Sequence, residues 1–257
     1  MRLAVVLMVM CLTAPGFGQS PGKPTVGTAA TSRPPGWEAT KARVMELGLD
    51  GKNQEMVALL EPIVAKFPGF VDGLFWLGAA HENVGRDLMR TNPTLAAARL
   101  ETAASYYRRV YDLGGGEYSD ALIRGLIDLY DGPLKQPATW KALILDARTR
   151  YAAEPIVHWY FAELLIREGR TAELPAGFKV ARAALPAAPP DARLAFASLL
   201  TSLAEHTASI PVKTTIAAEA EAYASETLKN HPTGFYSRRA QAIKDDVARL
   251  RQTKGGD

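Results

Sequence analysis

The side chains able to do chemistry in this sequence are four histidines, one cysteine and a few paired carboxylates, and their spacing argues against catalysis. His81 and His158 fall on the packing faces of two helical segments, where a bulky core residue belongs. His206 and His231 fall in turns, without paired metal-ligand spacing. Asp245-Asp246 and Glu219/Glu221 lie in helical stretches among basic or alanine neighbours. That is the pattern of a solvated face, not of two carboxylates opposed across a cleft. Cys11 sits inside an apolar N-terminal run, so the rest of the chain has no thiol for a disulfide, a zinc site or a nucleophile. HExxH, GxSxG and a phosphate-binding glycine loop after a strand are all missing, and Gly114-Gly115-Gly116 follows a helical stretch and reads as a turn. The expectation is a protein that is not an enzyme and that uses no cofactor and no metal.

Binding is the chemistry that the pattern favours. On a helix advancing about 100° per residue, Leu74, Leu77, Gly78 and His81 share one face. Phe75 and Glu82 point the opposite way with Asp72 and Ala79, and Trp76 and Asn83 lie beside them. The same offsets further along select Trp159, Glu163, Ile156 and Ile166, flanked by Tyr160 and Arg167. Between the two segments they select Ile123, Ile127 and Tyr130. Aromatic rings on such a face supply large contact area with little entropy loss on binding. The alternative reading is that the rings, Trp76 and Tyr160 above all, fill the seam between neighbouring helices.

These residues are positioned by a phrase that recurs. Leu77-Gly78-x-x-His81-x-x-x-Gly85-Arg86 returns as Phe161-Ala162-x-x-Leu165-x-x-x-Gly169-Arg170, and a fainter copy ends at Gly51-Lys52, about 34 residues before Gly85-Arg86. The spacing predicts a helix packed at i, i+1 and i+4 and closed by a C-terminal glycine. Helical patterning is nearly continuous: Trp37 to Gly48, Gln54 to Phe67, Asp72 to Val84, Pro93 to Leu113, Tyr118 to Tyr130 and Pro137 to Tyr151. It continues through a unit from about 155 to 188, a helix from Asp191, another from Thr215 to Asn230, and a charged last helix from Gly234 to about Gln252. Pro62 predicts a kink or local distortion in the second helix.

Composition bounds the remainder. The 257 residues are 47% hydrophobic and 22% charged, and the net charge of +3 is too small for a nucleic-acid footprint. Arg2, the apolar run Leu3 to Leu12 and the small residues of Gly16-Phe17-Gly18 read as a secretory signal cleaved after Gly18. That predicts a signal peptide over 1–18, an exported protein, periplasmic or secreted, and no integral membrane span in the mature chain. Residues 19–36, rich in Pro, Gly, Ser and Thr, read as a disordered linker, and 253–257 as a flexible tail.

The pattern over most of 37–232 resembles the tetratricopeptide repeat. The units 37–70 and 155–188 match best, while those around 118–152 and 190–232 are degenerate. The resemblance implies an all-α fold, an α-solenoid of about five helix-turn-helix repeats with a C-terminal capping helix, over 37–252. In that family a small residue such as Ala181 lets helices approach, a proline such as Pro68 or Pro186 ends the unit, and the face bearing Phe75 and Trp159 lines a concave groove. The implied partner is a protein or peptide, not a nucleic acid. The family's basic carboxylate clamp is not assembled here: Lys41 fits one part, and Met45, Ala79 and Asn83 do not complete it. The expected function is an exported scaffold or adaptor that binds a peptide or protein segment, in assembly or maintenance of a bacterial envelope complex. An α-helical envelope enzyme acting on a cell-wall polymer, and a purely structural spacer, are the alternatives.

Overall fold

Three of the glycines flagged as helix stops close their helices by one device. In the computed structural model, which describes residues 33–184 and 190–252, Gly51, Gly114 and Gly169 have φ of 72°, 95° and 70°. The residue after each donates its N–H back to a carbonyl of the last turn: Lys52 to Leu47, Gly115 to Val110 and Arg170 to Leu165. The expected signal peptide over 1–18, most of the expected linker, Pro186 and the expected tail over 253–257 lie outside the described residues.

The described chain is all-α. The helices are α1 Trp37–Leu49, α2 Asn53–Lys66, α3 Val71–Leu88, α4 Pro93–Asp112, α5 Ser119–Asp131 and α6 Pro137–Arg150. They continue as α7 Pro155–Arg167, α8 Leu174–Ala184, α9 Pro190–His206, α10 Ile210–Asn230 and α11 Gly234–Gln252. Short 3-10 turns, Gly116–Tyr118 and Thr171–Glu173, lead into α5 and α8. None of the described helices is long and apolar enough to cross a membrane.

The chain divides into two compact units at Gln136/Pro137, in the connection between α5 and α6. In the first, each of α1 to α4 packs on the helix that follows it. In the second, α7 packs on α6, α8 and α9, while α10 packs on α8, α9 and α11. Pro34 is buried and its carbonyl accepts the N–H of Trp37, so the last residues assigned to the linker belong to the start of α1. Trp37, 2% exposed, ties α1 to α3 through an Nε1–H bond of 2.9 Å to Asp72 and an edge contact with Phe70.

One local expectation is corrected. Gly85 does not end a helix: α3 runs through it to Leu88. A Cβ there would meet the Leu100 side chain at 2.7 Å and the Ala96 carbonyl at 3.2 Å. Its role is close approach of α3 to α4, not chain reversal. Pro62 sits on the exposed side of α2, and the helix continues to Lys66. The charged last helix is confirmed as α11, which buries only Ala240, Ile243 and Val247. Ala162 and Ala181 are both buried, as close-approach residues should be, at 2% and 0% exposure.

Candidate binding faces

Tyr107 organises the face of the first unit. Its ring is wedged between two glycines: a Cβ on Gly78 of α3 would meet it at 2.8 Å and one on Gly125 of α5 at 3.1 Å. With no side chain at either position, α4 can insert an aromatic where a smaller residue would leave a void. The Tyr107 hydroxyl donates to Glu82 Oε2 at 2.9 Å, and Arg86 donates to Glu82 Oε1 at 2.8 Å. Burial raises the Tyr107 pKa well above its usual value, and the adjacent Glu82 carboxylate adds to the rise. The phenol therefore stays a neutral donor.

Phe75 leans on this wedge. It stacks on Tyr118 at 4.1 Å, lies 5.8 Å from Tyr107 and meets Trp76 edge-on at 5.9 Å. It is half-buried, whereas Trp76 is 4% exposed. The ring has one face packed and is neither fully open nor fully closed in a seam. Tyr118, from the 3-10 turn, is the ring that covers that face. Burial also holds the Tyr118 hydroxyl well above its usual pKa.

Trp159, half-buried, is the corresponding ring on α7 of the second unit. It meets Tyr160 edge-on at 4.6 Å, and its Nε1 is buried without a hydrogen-bond partner among the described residues. One turn on, Arg167 donates to Glu163 at 3.1 Å through Nε and at 2.5 Å through Nη2. The Arg167 guanidinium lies 4.6 Å from the centre of the Trp140 ring, a cation–π contact from α7 to α6. Lys141 and Arg170 both hold Glu168, and Arg170 also holds Glu173. Hydrogen bonds from these cations, Lys141 first for Glu168, keep both carboxylates below their usual pKa.

The remaining candidates are core. Ile123 is fully buried and offers no surface; Trp76 and Tyr160 fill seams, at 4% and 6% exposure. They were assigned to a face by angle alone, and both flanks of a helix are covered when neighbours pack on two sides. Tyr130, 9% exposed, lines a different feature, an open cleft of about 390 Å³ with Glu101, Arg108 and Arg109. A second open cleft of about 390 Å³ lies at the α1–α2 turn, between Lys52, Asn53, Glu55 and Asp87. Lys41, the partial clamp residue, lies 3.8 Å from Glu117.

What remains as candidate surface is therefore Phe75 and Glu82 in the first unit and Trp159, Glu163 and Arg167 in the second. Tyr107, Tyr118 and Trp140 support them and were missed. Gly78 and Gly125 were the available signal for Tyr107, since a helical glycine on a packing face implies a bulky neighbour.

No protein-family model matches this sequence, and no curated protein matches it.

Proposed function

We propose that this chain is an exported helical-repeat protein of the tetratricopeptide type that holds a peptide or protein segment. It would serve as a scaffold in assembly or maintenance of an envelope complex. The observation that carries the reading is shared by α3 and α7. Each presents a half-buried aromatic, Phe75 or Trp159, beside an intrahelical Glu–Arg pair, Glu82–Arg86 or Glu163–Arg167. A ring fixed by packing loses little entropy on contact, and a neighbouring ion pair can exchange partners with a peptide backbone or side chain. Export is supported by the residues of the N-terminal run, and a mature N-terminus at Gln19 follows from it.

Site-specific photocrosslinking tests the binding role. A photoreactive phenylalanine at position 75 or 159, in the full chain expressed in its native host, should trap the same protein from both positions. The same group at Glu205, an exposed site on α9, should trap none. Equal trapping from all three positions, or none from 75 and 159, refutes the assignment. Mass spectrometry of the purified chain tests export in parallel: an intact Met1 in the mature pool refutes it.

A further inference from the structure

His158 is a buried imidazole with no acceptor in place for a second proton among the described residues. It is 3% exposed, and Nε2 donates its hydrogen to the Ala152 carbonyl at 2.7 Å. Nδ1 is buried with no partner among the described residues. A neutral ring fits that environment; a cationic one would place an unsatisfied N–H and a net charge in the core.

The surroundings offer no compensation. From α6 comes Arg148, a like charge for an imidazolium, whose guanidinium lies 3.7 Å from the centre of the Phe161 ring. From α9 comes Phe196, edge-on at 6.1 Å and itself fully buried. Behind Phe196 sits Tyr223 of α10, 5.4 Å away. The Glu219 carboxylate beside Tyr223 is already held by Arg182 of α8, with Nε to Oε1 at 2.7 Å. Burial holds the His158 pKa below its ordinary 6.5; the Ala152 bond pulls it up by less, and the Arg148 charge adds a still smaller downward push.

His81, the other core histidine, lies in the first unit, and burial and then the Arg99 charge lower its pKa as well, against a smaller upward pull from Glu61. Arg99 of α4 lies 3.3 Å from its Nδ1, Tyr106 of α4 stacks on it, and Glu61 of α2 stands 4.0 Å from Nε2, where it can receive a proton.

We propose that His158 is an acid-sensitive lock on the second unit. Acidification, by favouring a charge that this buried ring cannot accommodate, loosens the seams that α7 makes with α6 and α9, and so withdraws the face bearing Trp159, Glu163 and Arg167. The lock sits one residue from Trp159 and is a property of the fold, independent of whether that face binds a peptide.

The sign follows from linkage. The unfolded chain binds a proton near pH 6.5 and the folded unit binds it less readily, so stability from this group is complete above 6.5 and is lost as pH falls. The ratio of folded to unfolded protein should drop by up to about tenfold per pH unit below that point.

Urea unfolding of the full chain between pH 7.5 and 5.0 measures this in the parent and in His158→Leu. Leu74, fully buried, occupies the position in α3 that corresponds to His158 in α7, so leucine suits the site. The variant should lose a large share of the acid dependence that the parent shows, and His81→Leu, which removes the lowered histidine of the first unit, should leave that share in place. NMR titration of the His158 ring in the parent provides a readout that does not depend on a variant folding: the ring should stay neutral until the unit opens. A His158→Leu profile parallel to the parent's, or a His158 resonance titrating near 6.5 in an intact fold, overturns the proposal.

Discussion

Replacing Gly78 with alanine tests whether the Tyr107 wedge holds the first unit together. The added methyl would stand 2.8 Å from both Cδ1 and Cε1 of Tyr107 and 3.4 Å from the Tyr106 Cβ. Ordinary contact begins near 3.4 Å, so the ring must retreat by roughly 0.6 Å. Its far side already rests against Gly125, and its hydroxyl is tethered to Glu82 at 2.9 Å. The ring therefore cannot move without spreading α4 from α5 or stretching that bond. Overpacking of this kind costs about 1–3 kcal/mol, and the rigid ring places it near the upper end. Alanine regains about 1 kcal/mol of helix propensity over glycine. The net expectation is a loss of about 1–2 kcal/mol, or about 2–8 °C in melting temperature. Urea unfolding followed by circular dichroism reads the loss directly. Combining Gly78→Ala with Tyr107→Leu should cancel part of it, giving a coupling of about 0.5–3 kcal/mol in a double-mutant cycle. An alanine variant as stable as the parent, or more so, refutes the wedge, because propensity would then act unopposed.

Three further outcomes follow from named contacts. Ala181→Leu should destabilise the second unit by about 1–3 kcal/mol, since Ala181 is fully buried where α8 packs; a melt matching the parent's would place it at the surface. Gly169→Ala should lose about 1 kcal/mol through backbone strain alone, since its φ is +70° and the space around it is open, and Gly169→Asn should lose less; equal losses in both would point to a contact instead. Phe75→Ala and Trp159→Ala should each weaken binding of the crosslinked partner by about 2 kcal/mol, measured by titration calorimetry, with full affinity in both refuting the face. Phe75→Ala should also lower stability, because the Tyr118 stack is lost, and Phe75→Leu should recover stability without recovering binding.

Local sequence decided the helices and most of their ends. The period of apolar residues marked each helical stretch, and Gly51, Gly114 and Gly169 marked three closures, because a left-handed residue after a helix is a demand that the backbone makes locally. The core histidines were legible for a similar reason: their positions fell on packing faces, and a packing face is a matter of angle along one helix. The candidate site was legible only in part. The angle placed Phe75 and Trp159 away from the packing stripe, but it could not show that Tyr118 lies against Phe75 or that Arg167 reaches Trp140. Those contacts join residues on different elements, and their geometry depends on how closely the helices approach. Gly85 makes the point most plainly. The same Gly–basic pair that closes α7 at Gly169-Arg170 leaves α3 running on at Gly85-Arg86, because Leu100 and the Ala96 carbonyl pack where a side chain would be. A glycine's freedom is written in the sequence; whether the chain uses it to turn or to let a neighbour in is decided by what packs against it.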